Sequence, residues 1–238
     1  RKLVLYPQKE GLVMYITVNN MNLYYEVVGS GTPLVMIHGN GESHDIFDKA
    51  VEVLSKHYTC YLPDSRGHGK SQQVTEYHYE DMAEDVYQFV QALDLEHITY
   101  YGFSDGGIIG LLLASRHPDL LDKMIISGAN TRPDAIPKTL ATVFKILNFI
   151  HKNPQFKLML NEPHITKEQL LSIKTPTLVL AGSKDLIAEE DTRYIAETIP
   201  NATLKILKGE NHVSYVVHKE EIARLILEYT GKQEMGLS

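Results

Sequence analysis

Ser104 stands in the run Gly102-Phe103-Ser104-Asp105-Gly106, followed by Gly107. A serine hydroxyl is a poor nucleophile unless a base is held against it and its geometry is fixed. Here an apolar run, Ile98 to Phe103, meets a helical pattern, Ile108 to Ser115. That is the strand–turn–helix setting of a G-x-S-x-G nucleophile turn, which lifts the hydroxyl clear of both elements. Flanking glycines are needed because the two backbones approach closely there. Ser104 is therefore the candidate nucleophile. It should be accompanied by a general base, a group that orients the base, and donors for an oxyanion.

In an open parallel sheet, ligands gather outside the carboxyl ends of the strands, so each partner should directly follow a strand. Among 11 histidines, His212 follows the strand pattern Thr203 to Leu207 through Gly209-Glu210-Asn211. His117 precedes a helix-ending proline, His57 follows a helix, His68 sits in a polar turn and His218 lies beside the last helix. His38 ends a strand but belongs to a glycine-rich turn. His212 is the candidate base. Asp185 follows the strand Thr177 to Ala181 through Gly182-Ser183-Lys184 and is the candidate orienting acid. An N-cap role for the helix near Glu189 is its structural alternative, and Asp134 is its competitor. His38-Gly39-Asn40-Gly41 follows the strand Leu34 to Ile37. The backbone N–H groups of Asn40 and Asp105 are the candidate oxyanion donors, each able to contribute about 3–4 kcal/mol to a transition state. An ordinary tight turn is the alternative for that segment.

The elements that must position these groups alternate. Met14 to Val18 and Leu23 to Val28 read as an edge hairpin around Asn19-Asn20-Met21-Asn22. Leu34 to Ile37, Tyr58 to Leu62, Ile98 to Phe103, Lys123 to Ser127, Thr177 to Ala181 and Thr203 to Leu207 read as further strands, several of them continuous apolar runs suited to burial on both faces. Helical patterns run over Asp45 to Lys56, Tyr79 to Leu93, Ile108 to His117 and Glu220 to Tyr229. Strands alternating with helices imply βαβ units and a mainly parallel sheet. Between Asn130 and Thr175 the patterns are helical only. Lys138 to Ile150 is amphipathic, Phe156 to Leu160 is a short apolar turn, and Thr166 with Gln169 forms a capping box. The insertion is bounded at about 131–163, within a single domain of residues 1–238. It reads as a lid over the nucleophile turn, with a plain cover for the sheet as the alternative. Phe144, Leu147, Phe156 and Met159 are candidates to line an apolar pocket, or to be buried against the core.

Composition narrows the partners. Hydrophobic content of 43% and charged content of 22% are ordinary for a globular chain. A net charge of −7 argues against a general nucleic-acid or anionic-membrane binder. The single cysteine, Cys60, forms no internal disulfide and sits in an apolar run, as a structural thiol does. No paired-cysteine or HExxH pattern occurs, so no metal and no cofactor are expected. No stretch reads as a membrane span. Pro7, Gln8, Lys9 and Glu10 interrupt any signal-peptide core, so a cytoplasmic location is the default expectation. Strand patterning begins near Met14, which would suit a start there. The preceding residues are then a leader or an extra edge strand.

Taken together, His38-Gly39-Asn40-Gly41, Pro63-Asp64-Ser65-Arg66-Gly67-His68-Gly69-Lys70-Ser71, Gly102 to Gly107, Gly182 to Asp185 and Asn211-His212 resemble the α/β-hydrolase superfamily, over about Val18 to Tyr229. The order Ser, Asp, His is that of its triad. The resemblance implies an α/β fold: a mostly parallel eight-stranded sheet, helices on both faces, and a small helical lid after strand six. It implies Ser104, Asp185 and His212 as triad. The segment Asp64 to Ser71 shapes a loop. Ser104-Asp105-Gly106-Gly107 and Ile125-Ile126-Ser127-Gly128-Ala129-Asn130 resemble the valacyclovir-hydrolase-like (biphenyl hydrolase-like) branch, associated with α-amino-acid esters. Asp105 could pair with a substrate ammonium, or simply be stabilised by the helix N-terminus. The expectation is a serine hydrolase of small carboxylic esters, with α-amino-acid esters as a candidate class. Carbon–carbon hydrolysis with the same triad and a non-turnover ligand receptor are the alternatives. Dehalogenase and epoxide-hydrolase chemistry, which uses an Asp where Ser104 stands, is disfavoured. Thioesters and small amides stay open, as does the oligomeric state.

Overall fold

The computed structural model describes residues 4–7 and 12–232. Among the described residues nine strands form one sheet in the order β1-β2-β3-β5-β4-β6-β7-β8-β9. They are β1 (Val4–Pro7), β2 (Leu12–Val18), β3 (Met21–Gly29), β4 (Thr32–Ile37), β5 (Tyr58–Pro63), β6 (Ile98–Phe103), β7 (Leu121–Ser127), β8 (Thr177–Lys184) and β9 (Ala202–Asn211). β1 to β3 pair antiparallel with their neighbours, β3 runs antiparallel to β5, and every pairing from β5 across to β9 is parallel. The expected eight strands are β2 to β9. β1 is an addition, so the segment before Met14 contributes an extra edge strand at Val4–Pro7. The remaining residues of that segment up to 11 lie outside the described residues.

The helices are α1 (Asp48–Leu54), α2 (Tyr79–Ala92), α3 (Asp105–Arg116), α4 (Lys138–His151), α5 (Pro154–Asn161), α6 (Lys167–Ser172), α7 (Glu189–Thr198) and α8 (Glu221–Thr230). They cover both sheet faces because β6, buried along its whole length, has an apolar side chain for each face. On one side Tyr100 belongs to the same apolar cluster as Phe89, Ile109 and Ile195 of α2, α3 and α7. Tyr101 and Phe103 pack with Leu54 of α1 and Ile226 of α8 on the other. Two helical patterns differ in extent from expectation. The stretch Asp45 to Lys56 divides into a 3₁₀ turn, His44–Phe47, and the shorter α1. α3 begins at Asp105 rather than Ile108, because Gly106 and Gly107 are helical despite their low propensity. The α6 capping box forms as expected, with Thr166 Oγ1 accepting from Gln169 N and Gln169 Oε1 accepting from Thr166 N.

α4 belongs to neither layer, and α5 joins one of them only through the buried Leu158. Ala135, Ile136 and Ile187, with Leu140, Phe144, Met159 and Leu186 against them, form a small separate apolar cluster at the carboxyl end of the sheet. That places the helical insertion above the strand ends from which the candidate site residues emerge.

Candidate active site

Ser104 is the single residue between β6 and α3, at φ 52° and ψ −112°. Positive φ is strained for a residue with a Cβ, and persists only where the surroundings enforce it. Two close approaches enforce it here. A Cβ on Gly102 would lie 2.1 Å from the Gly106 carbonyl oxygen, and one on Gly106 would lie 2.1 Å from that of Ile37. Only glycines let helix, nucleophile strand and β4 come this near. Ser104 N also donates to Ser127 O at 2.7 Å, tying the turn to β7.

His212 arrives just beyond β9. Its Nε2 lies 3.1 Å from Ser104 Oγ, and its Nδ1 lies 2.7 Å from Asp185 Oδ1. The ring leans on Phe103, centroid to centroid 5.0 Å. Asp185, after β8, does not cap α7; that position is Ala188. Its carboxylate instead accepts from Ile187 N at 3.0 Å and Gly182 N at 3.4 Å besides His212. Burial opposes its ionisation, but the hydrogen bond and charge of His212 and the two backbone donors outweigh it and hold the carboxyl below its ordinary value. The competitor Asp134 is exposed and pairs with Arg132 at 3.0 Å.

The glycine-rich turn after β4 faces Ser104. Asp105 is the first residue of α3, so its N–H has no acceptor within the helix. Asn40 lies in the turn closed by Glu42 N donating to Gly39 O. Its side chain reaches across, with Nδ2 donating to Asp105 Oδ2 at 2.9 Å, while Tyr79 Oη donates to Oδ1 at 2.7 Å. Burial pushes the Asp105 carboxyl up, and these two donors pull it partly back. His38 is not near the reaction centre chemically. It is fully buried, accepts from Ser65 N through Nε2 at 3.0 Å, and is pushed down to about 4, chiefly by burial and then by His68. Asp64 braces the loop after β5, accepting from His44 N and Lys70 N.

A cavity of about 380 Å³ opens over Ser104 and His212. Phe144, Phe156 and Met159 line it, and Phe144 stacks on Phe156 with centroids 5.2 Å apart. Leu147 does not line it: one helical turn further along α4, it is half-buried beyond the rim. Asn40 and Asp105 contribute to the wall. So does Glu42, which the sequence reading overlooked. Its Oε2 accepts from Gly39 N at 3.0 Å, and burial pushes its carboxyl up to about 7 against that hydrogen bond. Tyr79, also overlooked, joins the wall from α2. Among the described residues, no lysine or arginine lines the cavity.

Similarity to known proteins identifies the family. YisY of Bacillus subtilis, described as an AB hydrolase superfamily protein, is 29% identical over alignment to 90% of this chain and 97% of its own length. The mouse serine hydrolase BPHL is 25% identical, covering 90% of this chain and 84% of its own. The structure of a bromoperoxidase from Bacillus anthracis superposes with a TM-score of 0.80 at 21% identity, covering 97% of this chain and all of the other. The family profile described as alpha/beta hydrolase fold matches residues 32–156, from β4 through the nucleophile turn into the helical insertion, and the chain belongs to that family of hydrolases.

Proposed function

We propose that the protein is a serine hydrolase that cleaves small carboxylic esters through an acyl-enzyme on Ser104. The observation that carries the reading is the continuous contact from Ser104 Oγ through the His212 ring to Asp185, at 3.1 and 2.7 Å, under an open cavity. His212 Nε2 takes the hydroxyl proton as Oγ attacks the ester carbonyl. The Asn40 and Asp105 N–H groups receive the developing oxyanion. The His212 imidazolium then protonates the departing alcohol. Water, deprotonated by His212, attacks the acyl-enzyme and releases the acid. Asp185 holds Nδ1–H and stabilises the imidazolium. The name serine hydrolase carried by the mouse relative supports a serine nucleophile.

Charge in the cavity supports a narrower class, the α-amino-acid esters. Asp105 is 3% exposed and is held by two neutral donors, with no lysine or arginine among the described residues that line the cavity. Buried carboxylates ordinarily have a counter-charge. A substrate ammonium would supply it, beside the carbonyl that Ser104 attacks. The helical insertion, as a lid, would close over the apolar remainder of such an ester.

The test compares turnover of an amino-acid ester with its N-acetylated counterpart, in the wild type and in Ser104→Ala. Preference for the free amine by tenfold or more, with the variant inactive, is expected. Equal cleavage of both esters would remove the ammonium reading and leave a broader carboxylesterase. Persistence of turnover in Ser104→Ala would overturn the mechanism itself.

A further inference from the structure

α4 presents two apolar faces, and only one is used. Leu140, Phe144 and Leu147 turn inward and are half-buried. Val143, Ile146, Phe149 and Ile150 are 48%, 54%, 87% and 61% exposed. Seven large hydrophobic residues are exposed among the described residues, and four of them are on this one helix. Val143, Ile146 and Ile150, three and four residues apart, share a face, with Phe149 on its edge. Scattered exposed hydrophobics are ordinary, but a contiguous patch marks an interaction surface.

Charge identifies the partner. Between Ala135 and Asn161 there are four lysines and no carboxylate, in a chain whose net charge is −7. Lys157 pairs with Glu76, at 3.5 Å. Lys138, Lys145 and Lys152 are exposed and have no carboxylate partner among the described residues. Spaced seven apart, they form one stripe beside the exposed apolar face. The whole-chain charge that argues against anionic surfaces therefore conceals a segment of opposite sign. An antiparallel pairing of two copies through this face would set lysine stripe against lysine stripe. An apolar strip edged by lysines is the pattern of a helix lying in the headgroup region of an anionic bilayer.

We infer that α4 docks on an anionic lipid surface, with Phe149 and Ile150 entering the acyl boundary and Lys138, Lys145 and Lys152 at the headgroups. Docking there would set the mouth of the cavity, which α4 helps wall through Phe144, close to the lipid phase. The inference is independent of the hydrolytic reading.

Sedimentation of the full chain with phosphatidylcholine vesicles, with and without phosphatidylglycerol, tests it. Binding should be about tenfold stronger with the anionic lipid and should fall with salt. The variant Phe149→Ser/Ile150→Ser should bind about tenfold less with an unchanged melting temperature. Lys145→Glu/Lys152→Glu, which keeps the apolar face, should lose the preference for phosphatidylglycerol. Failure of the wild type to sediment with anionic vesicles, or equal binding by both variants, overturns the inference. So does a dimer, detected by light scattering, that Phe149→Ser/Ile150→Ser converts to a monomer, since that would assign the face to a second copy.

Discussion

Asp185→Asn is the sharpest test of a single atom. The amide keeps the shape of the carboxylate but presents an N–H or a neutral oxygen to His212 Nδ1, where a 2.7 Å contact to a carboxylate now fixes the ring. The tautomer with its lone pair toward Ser104 loses its support, and kcat should fall by roughly 10³–10⁴. Steady-state rates on an ester that the wild type turns over will show it; a loss of tenfold or less would exclude Asp185 from the proposed role. Glu42 makes a different prediction. Its ordinary value is 4.5, and in the folded protein it titrates at about 7. Between those values the folded state holds a proton that the unfolded chain has released, so stability falls as pH rises through the window. At ~1.4 kcal/mol per unit, a shift from 4.5 to about 7 would be worth about 3.5 kcal/mol in full; the cavity admits solvent, which reduces the effect to about 1–2 kcal/mol. Urea unfolding of Glu42→Gln at pH 5 and pH 8 should show the difference between the two pH values shrinking by that amount; an undiminished difference would mean that another group titrates. The two residues differ in how far the sequence reveals them. Asp185 follows a strand and sits in order with Ser104 and His212. Glu42 looks like one more polar residue in a turn, because its significance comes from its place on the cavity wall.

At the scale of elements, the nucleophile turn is the most constrained joint. Gly102→Ala puts a methyl into the Gly106 carbonyl, and backbone cannot retreat as a side chain can. The strand and helix must separate, at a cost of about 3 kcal/mol, and the distance from Ser104 to His212 must change with them. Thermal unfolding together with turnover should show both losses, and an active variant of unchanged melting temperature would refute the close approach. Thr166→Ala removes one half of the reciprocal α6 cap and should cost about 1 kcal/mol with turnover retained, read from the same melts. That cap was legible in four residues, because capping is local chemistry. The strands were legible because an apolar run with turn residues at both ends has few other uses. Boundaries were less so. α3 starts three residues early because packing overrides the weak propensity of Gly106 and Gly107. Leu147 shares a helical face with Phe144, yet only Phe144 reaches the cavity, since periodicity defines a face but not what lies opposite it at each turn. Tyr79 meets Asp105 across 26 residues of sequence, and no local pattern encodes such a contact.

Over the whole molecule, stability and substrate selection are housed in different places. The two large apolar clusters lie against the sheet; α4 contributes only to the small cluster around Ile136 and Ile187, and α5 adds Leu158 alone to a large one. Ser104, Asp185 and His212 come from the ends of β6, β8 and β9, so their mutual distances depend on sheet register rather than on the insertion. Phe144 and Phe156, by contrast, stack on each other above the cavity, and Phe144 packs only against the small cluster. Ile226→Ala, in α8, opens a hole in a fully buried layer and should cost about 2–5 kcal/mol, lowering the melting temperature while leaving KM nearly unchanged wherever the protein stays folded. Phe144→Ala/Phe156→Ala should do the reverse. Both side chains are only partly buried and outside the two large clusters, so less burial is lost than at Ile226, while the apolar wall that would hold an ester is stripped away. KM for esters with larger apolar groups should rise about tenfold, equivalent to ~1.4 kcal/mol of binding, with kcat falling less because the reacting groups are untouched. A matched set of esters of increasing chain length, measured on both variants beside their melting curves, separates the two outcomes. If the double phenylalanine variant melts as early as Ile226→Ala, the insertion is part of the structural core and not a separable cover. If its KM does not depend on chain length, substrates do not lie against that wall.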